Sequence, residues 1–159
     1  MSFEDWIFAI HLLSAATLVG ALVMSWILTV ALRSVDTAGT TLSFNRVAIV
    51  GATILGVGLV GVIAFGIWLA ILRDAFHPWD GWVIAAIILW CIATAAIVRA
   101  VVEYRRPAER ARELLASGQA GPDAELAALN RTTTALLMRA LASAAIVLIV
   151  IDMVYKPGA

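Results

Sequence analysis

His11, an imidazole set among apolar residues, is the side chain of widest chemical reach in this sequence. Imidazole ligates haem iron and transition metals, donates or accepts hydrogen bonds, and changes charge near neutral pH. At 100° per residue, His11, Ser14, Leu18, Ala21, Ser25 and Thr29 fall within an arc of roughly 80°, so the hydroxyls share the histidine's helix face. If chain topology brings the two ends together, Asp152 is placed to accept from the second ring nitrogen and fix its tautomer. His11, Ser14 and Asp152 are therefore the candidate site for haem b or a transition metal. His77, beside Pro78 in a short polar connection, and Met153 extend it as weaker metal ligands, because no i,i+4 ligand pair supports them. Plainer roles compete with these. His11 can bond to Ser14 or a backbone carbonyl, Asp152 can pair with Lys156, and His77 can be a solvated loop residue.

A second group is structural in expectation. Arg139 lies inside an apolar run, where an unpaired charge is costly. Arg99, Glu103 and Arg139 reach similar depths on neighbouring runs, and an ion pair among them is the expected arrangement. Snorkelling to headgroups, or contact with an anionic lipid or substrate, are the alternatives. Cys91, the one cysteine, sits in mid-run and reads as a small buried hydrophobe. No nucleophilic triad, phosphate-binding glycine loop or catalytic carboxylate pair is present.

The elements that must hold these residues are four apolar runs, 6–32, 47–72, 82–102 and 132–154. A bilayer core of about 30 Å needs roughly 20 helical residues, and each run meets that length. With 63% hydrophobic residues and a mean hydropathy of +0.99, the expected fold is all-α, a single integral membrane four-helix domain over 1–159 in contact with membrane lipids. Eleven basic and eleven acidic residues cancel, so no global field points to nucleic acid. The first run is too long for a secretory signal and follows Glu4 and Asp5 rather than a basic segment, so it reads as a retained helix.

Arginines concentrate in the first connection (Arg33, Arg46) and the third (Arg105, Arg106, Arg110, Arg112, Arg131). The second offers Arg73 and the tail Lys156. The positive-inside rule then puts both termini outside the cell membrane and the two arginine-bearing connections in the cytoplasm. His11, His77 and Asp152 share the outer end in that topology. In the third connection, Pro107 starts or kinks a helix, 118–122 is a break, and a helical pattern from Pro122 and Asp123 runs unbroken into the last span. A cytoplasmic helical extension of spans three and four is expected, either solvated or docking a partner. Small residues recur at four-residue spacing, as Ala16/Gly20 and Thr17/Ala21/Ser25 in the first span and as Ala48/Ala52/Gly56 in the second, which also holds Gly51, Gly58, Gly61 and Gly66. They serve packing within the bundle or a homo-oligomer seam.

Two stretches carry a family resemblance. Ile10-His11-Leu12-Leu13-Ser14-Ala15 followed by Gly20, and the closing Asp152-Met153-Val154-Tyr155-Lys156-Pro157, resemble the start and end of the domain-of-unknown-function 2269 family of predicted four-helix integral membrane proteins. The first stretch is also similar to the opening helix of copper resistance protein D and of the J-type protoporphyrinogen oxidase. Only His11 and Gly20 carry over, and the histidine of the oxidase is linked to haem. The expected function is a small redox-associated membrane protein holding haem or a metal through His11. The alternatives are an accessory subunit of a larger membrane complex, a small transporter component, or copper passage involving His11 and Met153.

Overall fold

A computed structural model gives the structure of the chain and describes residues 2–72 and 79–155. Arg73, His77, Lys156 and Pro157 lie outside the described residues. Among the described residues six helices follow one another: α1 (Phe3–Leu32), α2 (Ala38–Leu72), α3 (Gly81–Glu103), α4 (Arg105–Ala116), α5 (Ala124–Asn130) and α6 (Thr133–Tyr155). The chain is an all-α membrane protein with four helical segments long and apolar enough to span a bilayer.

Local chemistry sets the helix ends. Ser2 caps α1 by accepting from the Asp5 N–H at 3.2 Å, while the Ser2 N–H donates to Asp5 Oδ2 at 2.7 Å. Glu4 and Asp5 place negative charge at the positive end of the helix dipole. α3 stops at Glu103 because the Pro107 ring is incompatible with a carbonyl four residues back in a continuing helix. Tyr104 makes the joint, and α4 restarts at Arg105. The pattern from Pro122 into the last span does not run unbroken as expected. It is divided at Arg131 and Thr132, where tighter bonds to Ala128 and Leu129 replace helical ones. The tertiary bonds made by Asn130 and Arg131 account for this interruption.

α1 packs along α2 and α3 along α6, and these two pairs enclose the core. Leu18, Ala21 and Leu22 meet Leu55 and Leu59 on one side and Ala93, Ala145 and Ile146 on the other. The α1–α2 seam is built on glycines. A Cβ at Gly58 would stand 2.8 Å from the Leu18 backbone nitrogen, one at Gly61 would collide with Ser14, and one at Gly66 would come within 3.1 Å of the His11 ring. These three glycines therefore let two backbones of the same chain approach. Gly20, Gly51 and Gly56 face open space at the corresponding point. The outer surface of the spans is lined with exposed Leu, Ile and Val, as lipid contact requires. Cys91 belongs to that surface. It is exposed rather than buried, because α3 turns its alanine face (Ala86, Ala93, Ala96, Ala100) inward.

At the arginine-rich end the first and third connections are latched together. Arg33 Nη1 donates to the Arg131 carbonyl at 2.8 Å, and Arg131 Nε donates to the Arg33 carbonyl at 3.1 Å. The buried Asn130 amide donates to the Val35 carbonyl and to Thr41 Oγ1 at 2.9 and 3.0 Å. Thr37 bridges to Pro122, and the Asp123 N–H donates to the Asp36 carbonyl. Beneath this latch, Ala38, Ala111, Leu114 and Leu126 form a second small core. α4 and α5 are thus docked onto the start of α2.

Candidate functional site

Six of the sequence candidates fall into four separate places. His11 lies between α1 and α2, its ring against Gly66 and near the Val62 backbone carbonyl. Its Nδ1 is buried without a hydrogen-bond partner. Ser14 does not bond to it, because the Ser14 hydroxyl donates to the Ile10 carbonyl at 2.8 Å and its side chain packs on Gly61. Asp152 is half-buried on α6 with Oδ2 unpartnered, and no ion pair joins it to His11 among the described residues. His77 lies outside them. Among the described residues no three His, Cys, Asp or Glu side chains come together as a metal group. His11 does not line the cavity described below.

Arg99 and Glu103 pair at 2.6 Å, one helical turn apart on α3. Arg139 does not join them, contrary to the three-residue arrangement expected from depth alone. Depth was matched, but the rotation of α6 turns Arg139 toward α1 and Tyr104. Arg139 is 6% exposed. It begins about 9 Å along α6, six residues after Thr133.

Its surroundings are hydroxyls. Arg139 Nη1 donates to Ser25 Oγ, and Nη2 donates to the Tyr104 hydroxyl at 2.6 Å, with the guanidinium carbon 5.2 Å from the Tyr104 ring centre. Proton counting orients the network. Thr29 has one hydroxyl proton and gives it to the Ser25 carbonyl at 2.8 Å, so the 2.7 Å contact with Tyr104 is a bond donated by tyrosine. Ser25 likewise spends its proton on the Leu22 carbonyl. Both oxygens facing Arg139 are then obligate acceptors, held in place before any ligand arrives. The backbone beneath is fixed too, because Trp26 donates to Ser143, whose hydroxyl donates to the Arg139 carbonyl.

What the guanidinium lacks is an anion. Among the described residues no carboxylate lies within ion-pair distance of Arg139, and its Nε–H is buried without an acceptor. Neutral hydroxyls satisfy part of its donor set but leave its charge uncompensated, which is expensive in a poorly solvated interior.

Beside Arg139 opens a cavity of about 660 Å³, within the roughly 300–1,000 Å³ of small-molecule sites. Small side chains make the room: Ala48, Gly51 and Ala52 on α2, Ala100 on α3, Ala108 on α4 and Ala142 on α6. The four-residue stripe on α2 is thus partly a cavity wall, and Gly51 is buried with open space where a Cβ would be. At the mouth, α4 presents Arg105, Glu109 and Arg112 along one face. Among the described residues three arginines and one glutamate line the cavity, giving it a positive balance.

Sequence reasoning noticed Arg139 but not this setting. Tyr104 and the α4 arginines were legible only as a charged connection, and the joint at Pro107 is what sets Arg105 and Arg112 at the mouth of the cavity. The family model described as Predicted integral membrane protein (DUF2269) matches residues 6–157. No curated protein and no solved structure matches the chain.

Proposed function

Because the chain belongs to the DUF2269 family of predicted integral membrane proteins, we propose that it serves as a non-catalytic binding component of the membrane that holds an anionic group against Arg139. It would act as an accessory subunit or a small transporter element. The observation that carries this reading is a buried arginine without a carboxylate partner beside a 660 Å³ cavity with two further arginines at its mouth. An ionisable residue inside a membrane bundle is by default a site for its missing partner. The positive-inside rule puts this end of the bundle in the cytoplasm and both termini outside.

The test is thermal unfolding of purified protein in a neutral detergent, titrated with inorganic phosphate. Ligand that binds only the folded state raises the midpoint by mass action. The wild-type midpoint should rise saturably and that of Arg139→Gln should not. An equal response in both proteins, or none in either, would refute the assignment.

Haem or metal binding through His11 is a second reading, supported by the buried, unpartnered Nδ1. An oxidised-minus-reduced absorption spectrum with elemental analysis tests it. A stoichiometric signal lost in His11→Ala is expected on that reading, and a flat spectrum without bound metal counts against it.

A further inference from the structure

The cavity has a direction as well as a charge. Its lining on α2 runs from Asn45 to Leu55, ten residues or about 15 Å of helix. At the Asn45 end stand the exposed arginines of α4, Arg105 and Arg112. At the other end the walls are Leu22, Leu55 and Ile97, at the level of the apolar core. Arg139 lies between these zones. A water-soluble anion would use the polar end alone and leave the apolar half empty. A molecule whose charged head and apolar chain follow the same order matches the whole length.

We propose that the cavity holds an anionic amphiphile of the bilayer, its phosphate at Arg139 and the α4 arginines and its chain along the wall made by α2 and α3. This rests on the assignment of Arg139 as an anion site and adds the class of molecule that brings the anion. The location favours that source. Apart from α4, the lining helices span the membrane, and charge complementarity selects acidic over zwitterionic headgroups. An acyl chain leaving the bilayer for the cavity exchanges one apolar surface for another, so the chain contributes little net affinity and the headgroup decides.

Native mass spectrometry of the full chain, released from neutral-detergent micelles supplied with equal amounts of phosphatidylglycerol and phosphatidylcholine of identical chains, measures this selectivity. The wild type should retain one phosphatidylglycerol per chain, about tenfold over phosphatidylcholine. Arg139→Met should abolish the preference. Arg105→Gln with Arg112→Gln, on exposed positions that leave the core intact, should weaken it severalfold. Gly51→Leu should lower retention of the lipid by filling the cavity while leaving the phosphate-dependent rise in unfolding midpoint. If phosphate stabilises the protein through Arg139 but the two lipids are retained equally, the amphiphile is refuted and the anion site stands. If neither phosphate nor phosphatidylglycerol depends on Arg139, both fail. Retention of phosphatidylglycerol by all three variants at the wild-type level would identify an annular lipid and overturn the inference.

Discussion

Arg139 shows how much a residue's environment adds to its type. Its position inside an apolar run was legible in the sequence, and so was the need for a partner. The partner was not, because depth along a helix is countable while rotation about its axis depends on packing. Ser25 and Tyr104, the residues that hold the guanidinium, are 114 and 35 positions away in sequence. Tyr104→Phe tests the network itself. It removes the oxygen that accepts from Arg139 and the proton given to Thr29, so it should cost about 1–3 kcal/mol, the usual penalty for orphaning a buried polar group. Reversible unfolding in mixed micelles measures it, and a change below about 0.5 kcal/mol, the size of an ordinary surface substitution, would contradict the network. His11 teaches the opposite lesson. The arc joining it to Ser14 describes the helix face correctly, yet Ser14 turns its hydroxyl to the Ile10 carbonyl. A shared face does not make a shared hydrogen bond.

At the scale of elements, the glycines of α2 divide by use. Sequence spacing singled out Gly56, the glycine of the four-residue stripe, whereas the structure assigns Gly58, Gly61 and Gly66 to the seam with α1 and leaves Gly56 facing open space. Gly58→Ala must move backbone, since its Cβ would stand 2.8 Å from Leu18 N, and should destabilise by about 1–3 kcal/mol as overpacking does. Gly56→Ala should be neutral or slightly stabilising through helix propensity. Equal effects of the two on the unfolding transition would contradict the seam. The α5 cap gives a prediction with pH. The Leu126 N–H donates to Asp123 at 2.7 Å and Arg110 stands beside it, and these hold the carboxyl below its usual range despite partial desolvation. Its contribution is therefore complete above the ordinary carboxylate value of about 3.9 and is lost as pH falls through the lowered value. Amide exchange in α5 should rise under such acid, and Asp123→Asn, which retains a capping oxygen, should remove that dependence. An unchanged acid response in Asp123→Asn would contradict the assignment.

For the whole molecule, the four spans were legible because a bilayer imposes length and apolarity on any helix that crosses it. The break at Tyr104 was half-legible through Pro107. The latch between the connections was not, because it consists largely of backbone carbonyls receiving Arg33, Arg131 and Asn130, groups that every residue carries. Orientation is accessible to a simple measurement. Reporter fusions after Tyr155 should be active only as the externally folding type, and activity of the cytoplasmic type would reverse the topology and with it the side from which the cavity is reached.

The central claim is that the Arg139 guanidinium awaits an anion. The most direct measurement is the arginine side-chain nitrogen spectrum of the protein in neutral-detergent micelles, with the Arg139 Nε–H resonance assigned by its loss in Arg139→Lys and followed while dodecyl phosphate is added. A saturable shift of that resonance, as its unpartnered N–H acquires an acceptor, is the predicted result. A resonance that stays fixed while the micelle fills with dodecyl phosphate would contradict the account.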